Sequence, residues 1–208
     1  MNDVSTSVKP EYPVISRWIN RGASVLDLGC GDGGLLALLK KEKNVQRAQG
    51  IEIDEKAIYK CVAKGLSVFH GDIDSGLAEY MDKSFEYVIL NQTFQQVKKP
   101  DIVLGEALRV GKEVIVGFPN FAHISARYQL AILGRAPITR SLPYEWYNTP
   151  NIHFLSIGDF INYCHQRSIK IKKSFYFGKE KPVRLFPNIL AQIGLFLIAN
   201  GNKTEDSL

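Results

Sequence analysis

The sequence predicts an α/β domain: a parallel sheet covered by helices on both faces. Three observations carry that expectation. Short apolar runs alternate with segments of helical periodicity, the run Phe85 to Leu90 is continuously apolar over VIL, and the first run ends in a glycine loop that leads directly into a helix. Strands buried on both faces read as continuous apolar runs, whereas a sheet with one wet face alternates.

The elements follow in order. Pro13 to Asn20 carries Val14, Ile15, Trp18 and Ile19 at helical spacing, so residues 1–20 are read as a lead-in ending before Gly22, a residue suited to a left-handed cap. Ala23 to Leu28 is the first strand, and Leu35 to Lys41 the helix after the glycine loop. Ala48 to Ile53 is the second strand. Asp54 then caps a helix over Glu55 to Lys64, which Gly65 terminates. Leu66 to His70, Phe85 to Leu90 and Lys112 to Phe118 are strands three to five, with a helix over Pro100 to Val110 before the last of them.

Residues 119–152 break the rhythm. They hold one helix, Ile124 to Leu133, followed by an aromatic and proline-rich stretch, and so long an excursion in a compact domain points to a functional insertion or lid. A helix near Ser156 to Arg167, a strand Ile169 to Phe177 and a last strand Gly194 to Ala199 complete the pattern, the final two able to pair as an antiparallel edge. The polar residues 201–208 read as a loose tail. A chain of 208 residues fits one domain, 1–208, burying roughly 70% of its unfolded surface.

Composition narrows the function classes. Hydrophobic residues at 45% and charged residues at 23% are those of a globular chain. The net charge of +5 comes from lysines and arginines scattered among acidic residues, which argues against nucleic-acid binding. The cysteines Cys30, Cys61 and Cys164 are widely spaced and form no C-x-x-C pair, so neither a disulfide framework nor a metal site is expected, and a reducing cytoplasm suits them. The segment MNDVSTSVKPEYP holds no apolar signal, and Leu185 to Ala199 is short and broken by Pro187, Asn188 and Gln192. The expectation is a cytoplasmic chain that does not span a membrane.

The ligand loop is VLDLGCGDG, Val25 to Gly33. Gly29, Gly31 and Gly33 let the backbone turn sharply and approach a ligand at the carboxyl end of the first strand. Gly29, Gly31 and Gly34 also satisfy G-x-G-x-x-G, so glycine spacing alone leaves a nicotinamide cofactor and S-adenosylmethionine both open. Asp27 separates them: a carboxylate inside an apolar strand needs a positive or hydrogen-bonding partner, and a pyrophosphate would not welcome Asp27 or Asp32. Glu52, at the end of the second strand, is placed to take both ribose hydroxyls, with Asp54 the helix cap.

VLDLGCGDG resembles the first motif of the Rossmann-like methyltransferases. That resemblance implies a seven-stranded, mainly parallel sheet with an antiparallel last strand, and S-adenosylmethionine or S-adenosylhomocysteine against Asp27, Gly29, Cys30, Gly31 and Gly33. It further implies Glu52 and Ile53 beside the ribose and adenine, Asp72 of HGDIDSG at the adenine amino group with Ile73 beside the ring, and Asn91 after strand four; Asp74 reads as a turn former. The blocks NQTFQQV, GFPNFAH and APITRSLPYEWYNTPNIHFLSIGDF are similar to the methionine-biosynthesis MetW family over about residues 20 to 177, with Ile124 standing where that family is expected to carry tryptophan.

Membership of that family implies a protein of methionine biosynthesis acting with a homoserine O-acyltransferase of the MetX type. An active small-molecule methyltransferase is the alternative, and a nicotinamide-binding oxidoreductase a third. Should methyl transfer to an oxygen or amine need a base, His123, Tyr147 and His153 are the candidates, although each also has an ordinary packing or hydrogen-bonding explanation. Arg127, Arg135 and Arg140 could receive an anionic substrate or an acidic partner surface, although a solvated face explains arginines more often.

Overall fold

The computed structural model describes residues 9–179 and 181–201. The expected tail at 201–208 lies outside the described residues apart from Gly201, as do the first eight residues of the lead-in. Seven strands form one sheet: β1 (Ser24–Leu28), β2 (Arg47–Glu52), β3 (Ser67–His70), β4 (Phe85–Asn91), β5 (Gly111–Pro119), β6 (Ile169–Phe177) and β7 (Ile193–Asn200). Their spatial order is β3-β2-β1-β4-β5-β7-β6. The first five pair in parallel, and β7 runs antiparallel between β5 and β6.

Alternate residues of the central strands feed two separate cores, because successive side chains of a strand point to opposite faces. Leu26, Leu28, Val88, Leu90, Val114 and Val116 enter one core, closed by α4 (Pro100–Val110) and α6 (Ile157–Gln166). Val25, Ile89, Ile115 and Leu195 enter the other, beneath α1 (Tyr12–Trp18) and α2 (Gly34–Lys43), with Cys61 of α3 (Glu55–Ala63) beside them. Both faces are dry, which is why these strands read as unbroken apolar runs. The first core is tied by a ring cluster in which Phe160 meets Phe94, Phe118 and Phe196 at centroid separations of 4.8 to 5.9 Å.

Local signals set the boundaries. Asp54 accepts a hydrogen bond from the Lys56 amide at the start of α3, and Ser156 and Asp159 form a reciprocal capping box on α6. Gly65 follows α3 with φ of +67°, as its stop position requires. The lead-in helix ends at Trp18 rather than Asn20, because Ile19 already has extended backbone and turns its side chain into the core. At the sheet edge β6 presents Lys170, Lys172 and Lys173, and Lys172 occupies an irregularity in the ladder with β7 while pairing with Glu113; such charges protect an open edge.

The insertion begins where β5 ends at Pro119 and contains α5 (Ile124–Ala131). It is anchored by Asn120, fully buried, whose amide donates to the Asn188 and Ala191 carbonyls and whose oxygen accepts from the Ala122 and Ile157 amides. Three short helical turns, Ile73–Ser75, Phe94–Gln96 and α7 (Pro187–Leu190), have no counterpart in the sequence reading; segments this short carry no readable period. Among the described residues no helix is long and apolar enough to cross a membrane.

Candidate functional site

Beyond β1 the chain turns toward β2, and beyond β4 it turns the other way toward β5, so the loops after these adjacent strands diverge and leave a crevice at their carboxyl ends. The glycine loop forms one wall and Asn91–Gln96 the other. The two walls touch: a Cβ built at Gly29 would lie 2.6 Å from the Thr93 methyl.

The three loop glycines have positive φ, of +73°, +55° and +74°, for different reasons. Gly33 is required by packing, since a Cβ there would come within 2.4 Å of Leu66 and 2.9 Å of Cys61. Of the three, Gly31 alone faces open space, with nothing among the described residues within 4 Å of that position, so a side chain there would project into the crevice. Cys30 directs its thiol inward against Gly50 and offers a ligand only its backbone; burial pushes that thiol's pKa well up.

The loop is braced from beneath. Gly29 and Cys30 donate to the Ile51 carbonyl at 2.8 and 3.1 Å, and Lys64 clamps Asp32 by a 2.8 Å ion pair that lowers the Asp32 pKa. Glu52 accepts from the Gly31 amide at 2.7 Å through Oε2 and from the Ile53 and Asp54 amides at 2.8 and 3.0 Å through Oε1. Its carboxylate thus braces the loop as well as lying at the strand end anticipated for ribose recognition.

Asp27 is 3% exposed on the face of β1 that α1 covers. Burial pushes its carboxyl up to about 7, with Lys9 partly offsetting the rise and Glu52 adding to it. Tyr12 leans over the same loop, its ring 3.5 Å from a Cβ placed at Gly34, and its hydroxyl pKa is raised by burial and then by Asp27 and Asp32. Burial of this kind favours the neutral carboxyl over the carboxylate unless a positive or hydrogen-bonding partner is supplied.

Ile53 is 60% exposed beyond Glu52 and forms an apolar patch on the crevice side of β2. Asp72 is exposed, and one of its oxygens accepts from the Asp74 amide; Asp72, not Asp74, therefore forms the turn, with Ile73 packed against the core behind it. Asp74 instead clamps the Lys98 and Lys99 amides before α4, a role its place in HGDIDSG did not signal. Asn91 ends β4 buried, its Oδ1 without a hydrogen-bond partner among the described residues and 2.3 Å from where a Cβ on Gly117 would stand.

The three base candidates do not converge. His123 caps α5 by accepting from the Ser125 amide through Nδ1, and burial lowers its pKa, which leaves Nε2 as the protonated nitrogen. His153 places Nε2 3.0 Å from the Val97 carbonyl, to which it must donate, and lines a recess with Phe154 and Tyr163 against α4 and α6. Tyr147 is 69% exposed and packs edge-on against Trp146. None of them lines the main cavity, of about 780 Å³, next to the crevice. Its walls carry Glu11, Gln92 and Gln95, the last two within the NQTFQQV block and none of the three a predicted site residue. Among the described residues no cluster of three or more His, Cys, Asp or Glu could hold a metal ion.

The sheet order and the crevice define a methyltransferase-fold protein. A SAM-dependent methyltransferase from Thermotoga maritima, described as a possible histamine N-methyltransferase, superposes with a TM-score of 0.65 at 18% identity, covering 90% of this chain and 86% of its own. A second, from Mesorhizobium loti, gives 0.65 at 17% identity over 90% and 96%. Magnesium protoporphyrin IX methyltransferase from Synechocystis, solved with bound SAH, gives 0.64 at 14% identity over 91% and 82%.

Residues 9–198 match the family described as methionine biosynthesis protein MetW, and this chain belongs to that family. It is 33% identical over 195 residues to the bifunctional methionine biosynthesis protein MetXA/MetW of Rhodopirellula baltica. The match takes in 90% of this chain and 31% of that longer protein.

Proposed function

We propose that this methionine-biosynthesis protein binds S-adenosylmethionine or S-adenosylhomocysteine in the crevice and works with a homoserine O-acyltransferase. The observation that carries the cofactor reading is the pairing of the buried Asp27 with a glycine loop whose Gly31 opens onto the crevice. Asp27 receives the cationic methionyl end, Glu52 and Ile53 the ribose and adenine, and Asp72 the adenine amino group. Gly29, Cys30, Gly31 and Gly33 shape the wall, with Ile73 and Asn91 completing it. When bound, S-adenosylmethionine supplies a methyl group on a positively charged sulfur.

The acyltransferase reading draws on the relative that carries MetXA and MetW in one chain. Trp146 and Tyr147, 75% and 69% exposed, and Phe154 beside the insertion provide aromatic anchors of the kind that dominate protein interfaces. Cofactor occupancy would then report methionine output to the acyltransferase, a coupling that must run equally in both directions.

Calorimetry tests both parts. S-adenosylmethionine should bind the native chain and lose roughly tenfold or more in affinity with Asp27→Asn, while NADH should not compete. A MetX-type acyltransferase should bind with a different Kd in the presence of cofactor and weaken with a Trp146→Ala, Tyr147→Ala double variant; equal Kd values with and without cofactor would remove the coupling. The cavity next to the crevice favours a second reading, an active small-molecule methyltransferase, which labelled cofactor would reveal as a methylated product in metabolite extracts.

A further inference from the structure

The cavity beside the crevice has a charge pattern that the cofactor reading does not use. Two of its wall residues, Glu11 and Gln95, are each 2% exposed, and each keeps one oxygen without a hydrogen-bond donor among the described residues: Oε2 of Glu11 and Oε1 of Gln95. Gln92 braces both. Its side-chain amide donates to the other oxygen of Glu11 at 3.1 Å, and its carbonyl accepts from the Gln95 amide, also at 3.1 Å. An orphaned buried acceptor carries the full desolvation penalty of its group. Two of them in one cavity wall call for an occupant that brings donors.

An ammonium group offers three donors and no acceptor, and its charge complements Glu11. The remaining charges of the wall have the opposite sign. Arg17 and Arg140 line the same cavity, and their side-chain hydrogen bonds among the described residues go only to the carbonyls of Pro13 and Lys179. Lys9, Lys179 and Lys181 line it too, so among the described lining residues Glu11 is the single carboxylate amid cations. An amine alone leaves those cations uncompensated, and an anion alone leaves the Glu11 and Gln95 oxygens unmet.

We propose that this cavity binds an amino-acid-like zwitterion, its ammonium on Glu11 and Gln95 and its carboxylate toward Arg17 and Arg140. The site is separate from the glycine loop and stands whether or not a cofactor occupies the crevice. At about 780 Å³ the cavity admits an amino acid with a sizeable side chain.

Titration calorimetry on the full chain without cofactor tests this, using L-serine and L-leucine as probes. Ethanolamine and 3-hydroxypropionate, which lack the carboxylate and the amine of serine, are the single-ended controls. At least one amino acid should bind, and both controls should bind roughly tenfold or more weakly, the worth of one charge-assisted hydrogen bond. Glu11→Gln turns an acceptor into a donor facing the ammonium and should weaken the amino acid by a similar factor, as should Arg140→Gln from the other end. Gln95→Glu adds a second carboxylate and should tighten it, which keeps the test open if Glu11→Gln does not fold. The proposal falls if neither amino acid binds at millimolar concentration, or if 3-hydroxypropionate binds as tightly. It falls equally if the folded variants leave amino-acid affinity unchanged.

Discussion

The carboxylate of Glu52 holds the amide of Gly31 at 2.7 Å, tying the end of β2 to the loop that follows β1. One side chain thereby fixes the shape of the crevice wall before any ligand enters. Glu52→Ala should destabilise the fold by about 2 kcal/mol, the worth of a hydrogen bond to a charged group, and weaken cofactor binding beyond the loss of a ribose contact. Glu52→Gln, which can still accept from Gly31, should recover most of the stability and little of the affinity. Chemical denaturation paired with calorimetry separates the two effects.

Gly31 and Gly33 should behave differently despite similar backbone angles. Gly31→Ala meets no neighbour and pays only for its left-handed backbone, about 1–2 kcal/mol, yet it places a methyl group in the crevice and should abolish cofactor binding. Gly33→Ala adds the clash with Leu66 and Cys61 and should cost about 2–4 kcal/mol. Thermal melts with and without S-adenosylmethionine should show a ligand shift only in those variants that keep Gly31.

Asp27 gives the protein a defined pH response. Its carboxyl titrates near 7 when folded against an ordinary value of 3.8, so the folded state holds the extra proton between those values. Stability from this group is complete below about pH 4 and is lost as pH rises through 7, on the order of 4 kcal/mol in the ligand-free protein. Asp27→Asn should therefore flatten the stability profile from pH 5 to 8. Affinity for a cationic cofactor should move the other way in the native protein, rising toward pH 8 as Asp27 ionises, and should be flat in the variant.

Asn120 makes four hydrogen bonds in full burial, three of which tie the start of the insertion to α6 and to the α7 segment. Asn120→Ala strands the Ala122 and Ile157 amides together with two carbonyls and should cost about 3 kcal/mol or more. Hydrogen exchange should locate the added opening at residues 119–123 and at the start of α6, with β1 and β2 unaffected.

The order of the elements was legible because burial on both sheet faces leaves unbroken apolar runs, and because Asp54, Gly65 and Ser156 mark helix ends with local chemistry. The glycine loop stood out because its glycines lie together in one strand–loop–helix unit, whereas the bond from Gly31 to Glu52 joins that loop to the next strand and had no local signal. Glu11 and Gln95 were not legible. Glu11 lies in a stretch with no motif and Gln95 in a block, NQTFQQV, that marks a family without assigning the residue a role; what makes both notable is burial produced by the packing of α1 over the loop after β4. His153 shows the opposite pattern: its neighbours in LPYEWYNTPNIH suggested a place over the ligand, while the Ile152 and His153 amides bond the Gln95 carbonyl and the ring turns toward Val97.

The antiparallel placement of β7 between β5 and β6 orders events during synthesis. β6 pairs only with β7, and β7 alone pairs with the outer edge of β5, so neither bond set can form until residues 193–200 have left the ribosome. Until then Val114, Val116 and Phe118 border an open strand edge in a nascent chain whose other four parallel ladders can already be complete. A ribosome stalled before Ile193 would display a sticky, two-thirds-built sheet, and protein quality control would meet this chain at that moment.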